Sequence, residues 1–428
     1  MTVLPASGRT FRAAVLTPVR ATREVRYYED AIFSVGADGK ISSIEAAATV
    51  EARGAVGLMR DLRPGLVIPG FVDTHVHYPQ ARVIGSATGP LLEWLESTVF
   101  PEEARFKEQV YAADVATELV GRFLSSGTTA AAVYSSSDAG ATRTLAAALS
   151  RSGMRGLVGL TLMDQNCPAP LAVAADRALG ESRALVSEIA EISNGRLAFA
   201  VTPRFALSCS RPLMEGAARL AADSSLFVQT HVAENPREGV ETLAAHPIAS
   251  DYLGVYEAVG LVGARTIFAH AIHFSESEWS RVASSGARIA HCPDSNFFLG
   301  SGVMRLDSAT TRRIPVALGS DVAAGRSFSM RRAIGHAHDA ALASRSTATP
   351  EMLFTMATLG GAELIGLGDV AGAIEPGLAA DFVVLERPCG SDGLAGALRL
   401  ATFAEDVAPV SMTFVGGVEV YRRPTSVA

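Results

Sequence analysis

Residues 65–77 read GLVIPGFVDTHVH, an apolar, strand-like run that ends in two histidines one residue apart. Alternate residues on a strand share a face, so His75 and His77 can turn both imidazoles toward one ion. The pair alone says little, because polar residues often end a strand. Three more stretches repeat the arrangement. THVAEN (230–235), FAHAIH (268–273) and GSDVAAG (319–325) each follow an apolar, strand-like run. They add His231, His270 and Asp321. Three or four histidines with one aspartate are a good donor set for zinc or iron.

Outward from these stretches the chain keeps one rhythm. Candidate strands at 66–77, 128–134, 155–162, 197–207, 226–232, 266–271, 288–293 and 315–321 alternate with helical patterns such as 107–125, 141–151, 211–223 and 276–285. Eight such alternations predict an α/β fold, a (β/α)8 TIM-type barrel. His75, His77, His231, His270 and Asp321 then fall at C-terminal strand ends, the rim where this barrel builds active sites. Ordinary loop polarity explains one or two such residues. It explains poorly why they are His and Asp rather than Ser, Asn or Lys. The first 64 residues and the stretch from 375 onward read as short β pieces, with a GADG turn signal at 36–39. Neither end has the apolar content to fold alone. The expected domains are therefore a small β-sandwich built from 1–67 and 375–428, and a metal-dependent barrel at 68–374.

Composition narrows the class. The 428 residues are 48% hydrophobic and 19% charged, enough for a large core. Four cysteines without a CxxC pair exclude a disulfide framework. The start, MTVLPASGRTFRAAVL, lacks a basic segment followed by a long apolar one. No apolar run reaches the roughly 18–20 residues that span a bilayer. A cytoplasmic protein without membrane association is expected. Net charge is −7 and no Lys/Arg stripe occurs, which argues against nucleic-acid binding.

The same stretches carry a resemblance. PGFVDTHVHYPQ, EWLESTVFPEEARF (93–106), TPRFALSCS (202–210), HVAEN, FAH, AHCPDSN (290–296), GSDVAAGRSFSM (319–330) and ATLGGAELIGLGD (357–369) resemble the amidohydrolase superfamily. Within it they look like the guanine deaminase family, on the strength of the YPQ suffix and TPRF. The resemblance runs from about residue 65 to 385. It implies zinc-dependent hydrolysis of guanine to xanthine and ammonia, with a small purine base as partner. The expected assembly is a homodimer. The second enzyme reading keeps the mechanism but changes the ring, making it a deaminase or dechlorinase of another aminopurine, a pterin or a triazine-type compound with a different leaving group. A third reading, a scaffold that has lost its ligands, is disfavoured by the complete donor set.

On this reading His75, His77, His231 and Asp321 are the metal ligands. A bound ion lowers the pKa of water to roughly 7, and Asp321 can take a proton from that water. The resemblance places His270 beside the metal, on its water. The only lysines are Lys40 and Lys107. Binuclear members of the superfamily bridge two metals with a carboxylated lysine after the fourth strand, so one zinc per chain is expected, with iron as the other possibility. Cys209 reads as a small core residue. Glu234 lies three residues past His231, so the chain must turn for it to face the metal. There it is placed as a proton shuttle, and the resemblance assigns it that role toward a ring nitrogen and the leaving amine. Gln80 offers a donor and an acceptor, Arg204 a planar fork of donors, and Phe205 a ring to stack on a base. Trp94 and Phe100 are candidates to close the pocket. His336 and His338 read as structural, since i and i+2 on a helix do not face each other; so do His246, in a loop-like segment, and His273, which an offset of three from His270 along a strand turns away. His291 reads as structural or supporting. Ser320 stands where the family usually has Thr, with little expected consequence.

Overall fold

The computed structural model describes residues 9–54, 58–87, 89–388 and 393–424. Residues 1–8, the beginning of the stretch read as lacking a leader, lie outside that range. Eight parallel strands run in chain order: β1 (Phe71–His77), β2 (Thr128–Tyr134), β3 (Arg155–Gly159), β4 (Leu197–Pro203), β5 (Phe227–Val232), β6 (Thr266–His270), β7 (Arg288–His291) and β8 (Val316–Leu318). Each pairs with the next, and a two-residue strand, Thr161–Leu162, adds to β4. Beyond β8 the backbone closes the barrel. Asp321 N–H donates to the His75 carbonyl at 2.9 Å, and His77 N–H to the Val322 carbonyl at 3.2 Å. This is the predicted TIM-type barrel.

Helices cover the outside because their sequences allow one apolar face. In Arg211–Asp223, Ser210 caps the N-terminus by accepting from Leu213 N–H, Pro212 sits in the first turn, and Leu213, Met214, Ala217, Leu220 and Ala221 are buried. That is the i, i+3, i+4 stripe of a helix lying on a core. The barrel interior is narrow and filled with small groups: Ala130, Ala132, Ala200, Ala290 and Ala317 meet Val72, Leu157 and Ile267. No helix among the described residues is long and apolar enough to cross a membrane.

The two chain ends do meet. Arg9–Pro18, Val25–Val35, Ile41–Ala46 and Arg60–Pro69 join Phe382–Leu385, Val410–Val415 and Val418–Arg422 in one seven-stranded sheet. Phe33 packs against Phe382 at 5.3 Å although two other strands lie between theirs. Three strand spacings amount to about 14 Å in a flat sheet. The sheet therefore coils over itself, and Phe11, Phe33, Phe382 and Phe414 form its enclosed core.

The run at 66–77 is not one strand. It divides at Gly70, with Arg60–Pro69 in the outer sheet and β1 in the barrel. A Cβ on Gly70 would lie 2.1 Å from Thr129 Oγ1, and Thr129 belongs to β2. Only a bare backbone lets the chain pass from one sheet to the other there. Gly70→Ala should therefore lower stability by about 1–3 kcal/mol through overpacking; an unchanged chemical-denaturation midpoint would contradict this account.

Candidate active site

The barrel rim brings the expected residues together. His75 and His77 come from the end of β1, His231 from β5, His270 ends β6, and Asp321 follows β8 by three residues; all are buried. One donor atom each from His75, His231, His270 and Asp321 lies within 4.8 Å of the others. His77 joins them through Nε2, 3.0 Å from His231 Nε2 and 3.4 Å from Asp321 Oδ1. Measured to Asp321, His75 is at 3.2 Å, His77 at 3.4 Å and His270 at 3.8 Å. An ion holding N and O donors at roughly 2.0–2.2 Å needs them about 3.0–3.6 Å apart. His75 and His77 meet that spacing to Asp321, and His270 stands just outside it.

The protonation states suit a cation. Burial pushes the imidazoles of His75, His77 and His231 below their ordinary range, the last two well below. Burial is the largest single influence and works to raise the Asp321 carboxyl, but the close contact with His75 and the nearby His270 and His231 together outweigh it and hold the carboxyl at about 2. Neutral imidazole and ionised carboxylate are the forms a metal requires. The tautomers agree. His231 Nδ1–H donates to the Arg204 carbonyl at 2.6 Å and His270 Nδ1–H to Asn296 Oδ1 at 2.9 Å. Both Nε2 lone pairs then point inward. His75 Nε2 and His270 Nε2 are buried without a hydrogen-bond partner among the described residues. Such orphaned acceptors cost free energy unless something binds them. The donor set therefore fits a zinc- or iron-type ion.

Beside the cluster, a cavity of about 380 Å³ is lined by Gln80, Leu91, Trp94, Leu95, Arg204, Phe205, Glu234, Glu238 and Ala324, together with His77, His231 and Asp321. Glu234 reaches it because Ala233 takes a left-handed φ of 47°, turning the chain after β5. Its Oε2 lies 3.5 Å from His270 Nε2. Burial, then the nearby Asp321 and Glu238 charges, push its carboxyl well above the ordinary range. Trp94 lines this cavity, whereas Phe100 lies under the Arg204 guanidinium at 5.2 Å from the ring centre.

Several supporting residues went unread in the sequence. Glu103 contacts both Arg204 and Gln80. Asn296 fixes the His270 tautomer. Glu238 accepts from the backbone N–H groups of Glu234 and Asn235 at 3.1 and 3.2 Å. Asp73 accepts from the backbone N–H of Ser320 at 2.9 Å, from the Ser320 hydroxyl, and from His75 N–H at 3.2 Å. Ser320 thus ties the Asp321 segment to β1, a job its hydroxyl shares with threonine. Glu103 and Asp73 both lie inside stretches that carry the family resemblance, but nothing local marks them out. Of the remaining histidines, His246 bonds the Ala206 carbonyl and His273 the Ser301 carbonyl, both at 2.8 Å. His336 and His338 sit on the helix Met330–Ser344, away from the cluster, and His336 lies 3.3 Å from Asp294. His291 is buried, with both ring nitrogens unpartnered among the described residues. Cys209 is a buried core residue whose thiol faces the Leu162 carbonyl at 3.1 Å.

Asp73→Ala should strand two buried N–H groups and a hydroxyl. At about 1–3 kcal/mol for a group left unsatisfied, the variant should unfold at a clearly lower temperature and retain less tightly bound metal. Wild-type stability and metal content in that variant would contradict the bracing role.

The Amidohydrolase family model matches residues 66–420. The guanine deaminase of Escherichia coli K12 is 36% identical over 375 residues, covering 85% of this chain and 85% of that protein. The solved E. coli guanine deaminase superposes with a TM-score of 0.90 at 32% identity, over 98% of this chain and 100% of that one. A guanine deaminase from C. acetobutylicum, solved with guanine bound in its active site, gives 0.90 at 29% identity, over 97% and 100%.

Proposed function

The chain belongs to the amidohydrolase family, in its guanine deaminase branch, and we propose from that premise that it hydrolyses guanine to xanthine and ammonia. One observation carries the reading. A single cavity is lined at once by a purine-recognising wall, Gln80, Arg204 and Phe205, and by a hydrolytic wall, His77, His231, Glu234 and Asp321. A planar, neutral base rich in donors and acceptors suits an apolar slot with a few fixed polar groups.

His75, His77, His231 and Asp321 would hold one zinc or iron ion per chain, and that ion would supply a water whose pKa is lowered to roughly 7. The shorter distances of His75 and His77 to Asp321 support this set, and His270, farther off, would hydrogen-bond the reacting water. Asp321 takes a proton from that water. Glu234 delivers a proton to the ring nitrogen beside the attacked carbon and then helps pass one to the departing amine. Arg204 and Gln80 hold the purine edge, and Phe205 stacks on the ring. A homodimeric state and a cytoplasmic location belong to the same proposal.

The test is ammonia release from a panel of guanine, adenine, cytosine, a pterin and an aminotriazine. Guanine should be the preferred substrate; preference for any other ring would overturn the assignment while leaving the hydrolase in place. In the same assay Glu234→Gln should keep metal and substrate binding but lose about 10²–10⁴-fold in turnover. Near-normal turnover would remove Glu234 from the proton path.

The metal reading has its own measurement. Elemental analysis should find close to one zinc or iron per chain, and chelation should lower the unfolding temperature because the ion binds only the folded state. Two tightly held ions per chain would show the mononuclear assignment to be wrong.

A further inference from the structure

We propose that Glu103 is a positioning residue that sets the hydrogen-bond pattern which Gln80 and Arg204 present to the substrate. The proposal rests on the guanine reading above and deepens it.

Glu103 lies on the short helix Phe100–Ala104, far in sequence from Arg204, and is only 3% exposed. Its two oxygens are divided between two partners. Oε1 accepts from Gln80 Nε2 at 3.2 Å, and Oε2 accepts from Arg204 Nη1. If Glu103 did no more than neutralise a buried guanidinium, it would have no need to touch Gln80. The second bond gives it a further consequence.

That consequence follows from donor and acceptor types. A side-chain amide has a donor end and an acceptor end of nearly the same shape, so it can flip unless its neighbours forbid it. A carboxylate only accepts, so the NH2 of Gln80 must face Glu103. On the other side Ala323 N–H donates to Gln80 Oε1 at 3.3 Å, and a backbone N–H only donates. A flip would set oxygen against carboxylate and NH2 against N–H, losing both bonds together. One N–H and one lone pair of Gln80 remain for a ligand, each in a fixed place.

Arg204 is fixed by the same carboxylate. With Nη1 engaged and its guanidinium over the Phe100 ring, its Nε and Nη2 donors have no acceptor among the described residues. The ion pair also cancels the charge of a guanidinium that is only 3% exposed. A neutral base therefore meets oriented N–H groups rather than an uncompensated cation.

The experiment is a double-mutant cycle on the metal-loaded full chain, reading kcat and KM for guanine in the wild type, Glu103→Gln, Gln80→Ala and the combination. In Glu103→Gln the new amide has a single oxygen. It can serve Arg204 or Gln80, and its NH2 must then oppose the other donor. KM should rise roughly tenfold or more, on the scale of one unsatisfied buried group, while kcat per metal-loaded site changes by less than about threefold. Without Gln80 the acceptor conflict disappears and only the lost counter-charge to Arg204 remains, so in the Gln80→Ala background the same substitution should raise KM by clearly less than it does beside Gln80. Glu103→Asp, which keeps both acceptor oxygens, should recover most of the loss and serves as the second variant if Glu103→Gln does not fold. Additive effects in the cycle, a loss carried wholly in kcat, or a Glu103→Asp variant as impaired as one lacking the carboxylate would overturn the clamp. If the wild type does not turn over guanine, the substrate reading fails and the clamp falls with it. Turnover of guanine with an additive cycle sinks the clamp alone.

Discussion

The seam between β8 and β1 is the constraint on which the rest of the molecule depends. The two strands do not pair along a regular ladder. The chain after β8 reaches over instead, and Asp321 and Val322 complete the ring through backbone bonds to His75 and His77. The residues that close the barrel are thus the residues whose side chains meet at its rim. Asp73 braces the same seam from below through Ser320. Gly319 lets it close at all, since a Cβ there would lie 2.7 Å from the Cβ of His75. Fold and site share one set of contacts, so disturbing either should be felt by both.

The seam also explains how so much buried polarity is tolerated. Five imidazole and carboxylate donors in an apolar rim would ordinarily be costly. Here the outward-facing nitrogens are spoken for, His231 by a carbonyl and His270 by Asn296. Their inward-facing partners are left converging. The arrangement fits a cation at the centre, where the nitrogens left without a partner would become ligands.

Strand-end histidines and the eight-fold alternation were legible in the sequence because both are local. Each ligand candidate closes an apolar run, and the runs are spaced as β/α units. The pairing of the two chain ends was legible for a similar reason, since neither could bury a core alone. What remained hidden was relational. Glu103 reads as one of four glutamates in EWLESTVFPEEARF until the fold sets it against Arg204, a hundred residues away. Nothing near Asn296 announces that it will fix an imidazole. The turn at Gly70 was hidden inside a continuous apolar run, because two different sheets ask for the same residue types. The left-handed backbones of His270 and Asp321, at φ 72° and 49°, were hidden too. Such conformations usually favour glycine, and here surrounding contacts hold them at a cost of order 1–3 kcal/mol each. Strain of that kind leaves no mark on composition.

The two walls of the cavity come from different parts of the architecture. The wall proposed to be hydrolytic stands on strand ends and on the short segments immediately after them, so its geometry is tied to the barrel. Much of the recognition wall comes from the long excursion of residues 78–127 between β1 and β2, which supplies Gln80, Leu91, Trp94, Leu95 and the bracing Glu103. Loops on a rigid scaffold can change while the scaffold stays fixed. A change in that excursion would alter which ring is held without moving a single donor at the seam. Arg204 is the exception, because it belongs to both walls. Its backbone carbonyl fixes His231, and its side chain is held by Glu103. Through that one residue the side chain held by Glu103 is mechanically connected to the backbone that orients His231, so anything that pulls the guanidinium out of place would also loosen the imidazole behind it.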